Sequence, residues 1–225
     1  MNSKAWQAKR PSALDFQHWI LETRAQGFKV RMLWDLPIAP RIYPWDYWLG
    51  KSQAQRVHAR DLEWRRIAPA EAKVFLQHHH FLGMAKGQGH WGLFVKPKFQ
   101  SKWRSIMGAQ DLLGLALIGK SITRQDGSKS LELVRFGMAQ GLRVVGALSQ
   151  FLHHLQAQED FDDVMTYVDL AWDDARAYLA LGFHLEAYSP PLYFYWDQGQ
   201  AIPCQEPQAQ WQNAGNYKLR WKRNI

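Results

Sequence analysis

Arg143-Val144-Val145-Gly146-Ala147 stands between a strand-like apolar run and an amphipathic stretch. A glycine where a helix begins leaves backbone N–H groups free at the positive end of the helix dipole, so this junction suits a phosphate. Glu132 and Arg135 fall in the preceding run, 131–138, where strict alternation puts them on opposite faces. Asp169 ends the next apolar run, 162–170, at the strand end where open α/β sheets meet ligands. A charge in a core strand needs a partner. Arg135 and Asp169 therefore either pair with each other or serve a site, Asp169 as base or metal ligand and Arg135 on substrate or cofactor. His78, His79 and His80 close a helix-like stretch. Neighbours on a helix point in different directions, so one metal would not gather all three. His80, or else His79, is the one suited to join Asp169 as ligand or base. A convincing metal-ligand set is missing, and no metal is assigned.

These residues need positioning elements. Periodicity predicts a helix over 14–27, a strand over 28–36 and an aromatic, proline-bearing loop over 37–50. A strand over 56–67 precedes a helix over 69–79, which Pro69 opens at the favoured first-turn position. Strands over 90–96 and 112–120 pair across a basic loop, 97–111, and Asp126-Gly127 marks a turn before the central strand. Leu148, Phe151, Leu152 and Leu155 recur at helical spacing, which leaves His153 and His154 facing solvent. A strand, a short helix ending at Gly182-Phe183 and two further strands follow. The glutamine-rich piece 198–212 reads as a loop.

Arg143 and Gly146 fit the pattern [Q/R]-x-x-G-x-[G/A], with Leu148 departing at its last small position; Ala177-Tyr178-Leu179-Ala180-Leu181-Gly182-Phe183 carries a Tyr four residues before Gly-Phe. In these two motifs the chain resembles the GNAT (Gcn5-related N-acetyltransferase-like) family. Further features are His79-His80-Phe81-Leu82-Gly83, Glu132-Leu133-Val134-Arg135-Phe136, Tyr167-Val168-Asp169, Pro191-Leu192-Tyr193-Phe194-Tyr195 and Asn213-Ala214-Gly215-Asn216-Tyr217-Lys218. They are similar to an uncharacterised phage and bacterial branch, itself distantly similar to the phage DNA-modification protein Mom. The resemblance spans roughly residues 57–220. It implies an α/β GNAT-like fold with a central mixed, twisted sheet flanked by helices. It also implies acetyl-CoA or another acyl-CoA as cofactor, held by Arg143, Val145, Gly146 and Ala147. Tyr178 is implied as the acid for the departing thiolate, with Asp169, Arg135 and His80 as further catalytic candidates.

Composition sets the frame. With 225 residues, 47% of them hydrophobic, the chain suits one large domain or a domain with an extension. The expected division is a basic, aromatic N-terminal extension, 1–55, and a GNAT-like domain, 56–225. There is no apolar run of spanning length and no export signal core, and Cys204 is the single cysteine, so a reducing cytoplasm is expected and no membrane partner. Walker, H-E-x-x-H, G-x-S-x-G and CxxC motifs are missing, so kinase, zincin, serine-hydrolase and zinc-finger readings lack support. The net charge of +8 is uneven: residues 1–66 carry 12 basic and 6 acidic side chains, and 211–225 carry 4 basic and none acidic. Basic ends with interleaved aromatics suit DNA, and a solvated edge strand is the plainer alternative. Three functional expectations follow: an acyltransferase acting on a DNA base amine, one acting on a protein or small-molecule amine, and a catalytically degenerate scaffold that binds nucleic acid.

Overall fold

The computed structural model describes residues 13–31, 54–80, 82–105, 111–197, 200–205 and 208–223. The expected aromatic loop 37–50 and most of the expected strand 28–36 lie outside these residues, and 28–31 is not a strand. The chain forms two compact units, one of residues 39–164 with 223–225 and one of residues 1–38 with 165–222. The architecture is mixed α/β: a mostly antiparallel sheet with flanking helices.

In the first unit β1 (Gln55–His58) and β2 (Leu62–Arg66) replace the single strand expected over 56–67, because a 3-10 turn at Ala59–Asp61 interrupts it. Helix α1 (Ala13–Ala25) precedes them in the chain and belongs to the other unit. Helix α2 (Pro69–His79) starts at Pro69, as the sequence predicts, and Glu71 accepts the Ala68 N–H at its entrance. The expected loop 97–111 contains a short helix, α3 (Gln100–Trp103). Strands β2, β3 (Gly89–Val95), β4 (Gly114–Ile118) and β6 (Lys129–Met138) lie in that order, antiparallel where they pair up to β6, with β5 (Ile122–Thr123) also on β6. Every residue of β4 is buried, as its unbroken apolar run requires of a strand covered on both faces.

Alternation assigns the covers. Ala72, Phe75 and Leu76 of α2 pack with Leu115 and Leu117 on one face. On the other, the Phe151 ring of α4 (Ala147–Gln158) lies 4.8 Å from that of Trp64. His154 corrects the expectation that it faces solvent: it is half-buried, edge-on to Trp91 at 4.7 Å, and burial lowers its pKa. A further strand, β7 (Leu142–Val145), pairs in parallel with β1, which periodicity did not show.

In the second unit β8 (Asp163–Asp169) leads to helix α5 (Arg176–Leu179), β9 (His184–Tyr188), β10 (Tyr193–Asp197), β11 (Gln200–Cys204), β12 (Trp211–Gln212) and β13 (Asn216–Lys222). β13 lies between β8 and β9, and β10 between β11 and β12. The expected loop 198–212 thus contains two strands. Gln17 of α1 donates to the carbonyls of Ser189 and Ala214, and Arg24 to Tyr217 Oη and the carbonyls of Val30 and Leu170. The C-terminal flank is also not a solvated edge. Tyr217, Arg220 and Trp221 are buried, Lys218 and Arg220 pair with Glu186, and Trp221 donates to the Leu181 carbonyl.

Candidate functional site

The phosphate-loop candidates are assembled within the first unit. β7 delivers Arg143 and Val145, both exposed, to Gly146, which caps α4 with φ 82° and ψ 8°. A left-handed residue here lets the strand turn directly into the helix, and only glycine takes that conformation without cost. No side chain caps the helix, and its first internal bond is Gln150 N–H to the Gly146 carbonyl at 2.9 Å. The N–H groups of Ala147, Leu148 and Ser149 are therefore left to an outside acceptor. Leu148, the departure from the motif, is only 9% exposed and turns into the core, so its bulk is spent on packing rather than on the loop.

The loop is held from behind. Gln55 N–H donates to the Gly141 carbonyl, and β1 runs in register with β7 from Gln55 and Leu142 to His58 and Val145. Beyond the glycine, Gln150 Nε2 donates to the carbonyls of Ala59 and Leu62 at 2.7 and 3.0 Å. Gln150 was not among the sequence candidates; a glutamine four residues into an apolar helix stripe was the available signal.

His80 and Arg135 meet in the same unit. The register of β4 on β6 shifts between Leu117 and Ile118, which face Arg135 and Leu133. Val134 is the extra residue, and a bulge of this kind breaks the alternation. This corrects the placement of Glu132 and Arg135 on opposite faces. Burial lowers the Arg135 pKa, and the nearby Glu132 charge acts against that. The guanidinium donates to the carbonyls of Gly83 and Val134 at 3.2 and 2.9 Å. His80 Nδ1 accepts the Leu82 N–H at 3.2 Å. Burial, and then Arg135, push its pKa down to about 3. The ring is thus neutral with its proton on Nε2, suited to donate a hydrogen bond and too weakly basic to take a proton near neutrality. His79 instead accepts the Gln140 N–H and stacks near Phe75, while His78 binds the Val74 carbonyl. Among the described residues no group of three or more His, Cys, Asp or Glu side chains is placed to hold a metal.

Asp169 and Tyr178 lie in the second unit. Asp169 Oδ1 accepts the Ala171 N–H at 2.7 Å and Oδ2 accepts Asn213 Nδ2 at 3.0 Å. Burial pushes its carboxyl up to about 6, against the pull of these two hydrogen bonds and of Arg24. Arg135 and Asp169 therefore each have local partners of their own. A carboxyl titrating this close to neutrality can exchange a proton at working pH. Asn213 is a residue sequence reasoning did not assign a role; it also bonds the backbone at Leu192 and Gly215. Tyr178 lies edge-on to Phe183 at 5.4 Å on the short helix α5. Burial, then the Asp173 charge, raise its phenol above the usual range, so it keeps its proton. Its hydroxyl makes no hydrogen bond among the described residues.

No protein-family model and no curated protein matches the sequence. Solved acetyltransferases do resemble the structure. Arabidopsis thaliana Naa50, in complex with a bisubstrate analogue, is similar at TM-score 0.46 and 12% identity over 72% of this chain and 99% of that one. Spermidine/spermine N-acetyltransferase SpeG from Vibrio cholerae is similar at TM-score 0.45 and 9% identity, over 73% and 94%. Aminoglycoside N(6')-acetyltransferase from Legionella pneumophila gives 0.41 and 11%, over 72% and 92%.

Proposed function

We propose that the protein is an acyl-CoA-dependent N-acyltransferase of GNAT type whose acceptor is an amine on a DNA base. The observation that carries the first part is the left-handed Gly146 opening an uncapped helix, with three backbone N–H groups unclaimed and Arg143 three residues upstream. That cradle fits a pyrophosphate: oriented N–H groups at a dipole end that no side chain caps, with the Arg143 charge nearby. An acyl-CoA supplies an activated acyl group as a thioester. The residues of this chain then have separate tasks. The Ala147, Leu148 and Ser149 N–H groups bind and orient. Asp169, with its near-neutral pKa, suits the base role that the resemblance implies for it. Tyr178 keeps its proton, as the thiolate-acid role that the resemblance implies for it requires. His80 donates from Nε2, and Arg135 braces the Gly83 turn beside it.

The DNA acceptor is supported by the Mom-like motifs and by the basic excess in residues 1–66. The C-terminal flank supports it less than its sequence suggests, since its aromatic and basic side chains are buried or paired. A base inside a duplex is out of reach of a cleft, so the substrate is a flipped or single-stranded base.

Titration calorimetry of acetyl-CoA into the protein and into a Gly146→Trp variant tests this reading. Binding in the micromolar range that the variant loses supports the loop. No binding to folded wild-type protein sinks the acetyl-CoA enzyme. Turnover should then fall in Tyr178→Phe with cofactor affinity unchanged, and an unchanged rate removes Tyr178 as the acid. Nucleoside mass spectrometry on DNA from expressing cells identifies the acceptor: a mass-shifted base supports DNA, and unmodified DNA with an active enzyme points to a protein or small-molecule amine.

A further inference from the structure

The strand that braces the phosphate loop also brings a second arginine to it. In the parallel register of β1 on β7, Arg56 stands opposite Arg143 and His58 opposite Val145. Alternation puts Val57 and Val144 on one face, where Val57 is fully buried. Arg56, His58 and Arg143 share the other face, and all three are exposed. Like charges on directly paired strand positions repel and destabilise the pairing. Neither arginine is ion-paired with a carboxylate among the described residues. Two arginines at directly paired positions on one face, neither with a carboxylate partner among the described residues, are matched by one doubly charged phosphate.

We infer that Arg56 and Arg143 together hold a phosphate monoester, the ribose 3′-phosphate of CoA. The inference rests on the transferase reading and extends it to a strand outside the motif. Arg143 lies three positions before Gly146, roughly 10 Å at the usual strand rise. The pair thus stands about one sugar and one side-chain length from the N–H groups assigned to the pyrophosphate. A monoester approaches two negative charges near neutral pH, whereas each phosphodiester of a nucleic acid carries one. Guanidinium forks bind such oxygens bidentately, and two can share one phosphate. The repulsion between two exposed cations, reduced but not removed by solvent screening, is consistent with a site kept for binding rather than for stability.

The experiment compares CoA with dephospho-CoA by calorimetry on the full chain and on Arg56→Ala and Arg56→Glu. The wild type is expected to favour CoA by on the order of ten-fold, the scale of one charge-assisted hydrogen bond. Arg56→Ala should bring that ratio close to one while leaving dephospho-CoA affinity unchanged. Arg56→Glu should lose the preference too, yet unfold at a higher temperature without ligand, because a cross-strand ion pair with Arg143 replaces a repulsion. A wild-type ratio of one, or a ratio that survives Arg56→Ala, overturns the subsite and leaves the transferase intact. Binding of neither compound to folded protein overturns both. If Arg56→Ala weakens binding of a single-stranded DNA oligonucleotide and leaves the CoA ratio unchanged, the pair belongs to nucleic acid and the subsite is overturned.

Discussion

Asp169 and His80 are displaced from their ordinary pKa values in opposite senses by the same cause, burial. For each, burial disfavours the charged form, which is the deprotonated form of an acid and the protonated form of a base. Asp169 titrates at about 6 when folded against 3.8 as a free group. Its stabilising contribution is complete below about 3.8 and is lost as pH rises through about 6. His80 titrates at about 3 against 6.5, so its contribution is complete above 6.5 and is lost as pH falls toward 3. Thermal unfolding followed from pH 7 down to about pH 4 separates the two. Asp169→Asn should make stability fall more steeply with acid than in the wild type, and His80→Gln should flatten the fall. Parallel curves for wild type and both variants would show that neither group is buried as described. The protonation states follow the same division: Asp169 exchanges a proton near neutrality, while His80 stays neutral there.

Short irregular features between elements decide what those elements present. The extra residue Val134 in β6 puts Glu132 within electrostatic reach of Arg135. The turn 213–216 plays the same part after β12. Gly215 has φ 85°, and a Cβ there would fall 2.3 Å from both the Ser189 carbonyl oxygen and Gln17 Nε2. Neither neighbour can yield cheaply, because one is backbone and the other is held by two carbonyl bonds. Gly215→Ala is therefore expected to lower unfolding free energy by about 3 kcal/mol, read from denaturant midpoints. It should also loosen Asn213, whose Oδ1 accepts the Gly215 N–H at 2.9 Å and whose Nδ2 holds Asp169. An Ala variant as stable as the wild type would contradict this packing.

At the scale of the whole molecule, charge is sorted by the fold as well as by the sequence. Of the +8 net charge, the C-terminal share is partly neutralised where Lys218 and Arg220 converge on Glu186, while Arg223 keeps its charge and is held in place by the carbonyls of Phe161 and Gln156. Residues 1–12 carry Lys4, Lys9 and Arg10 and no acid. If DNA is the partner, deleting 1–12 should weaken binding and reduce the salt slope of log K by about 3, near 0.9 for each phosphate that those side chains neutralise. Lys218→Ala should leave that slope unchanged. A slope indifferent to 1–12 and sensitive to Lys218 would reverse the assignment. No helix among the described residues is long and apolar enough to cross a membrane.

What the sequence by itself determined is local. Pro69 begins α2 at the residue expected, the apolar run of β4 is a fully buried strand, and Gly146 opens a helix, because each follows from a backbone preference or a periodicity contained within a few residues. The strand-to-helix junction that carries Arg143, Val145, Gly146 and Ala147 was legible for that reason. The tertiary structure alone decided partners. Arg135 is bound to the Gly83 carbonyl, Asp169 to Asn213, Leu148 is turned inward, and Arg56 is set beside Arg143. Each depends on segments far apart in sequence, or on a one-residue slip in a ladder. A buried charge specifies that it must have a partner, but many groups can satisfy it, and only the packed chain selects one.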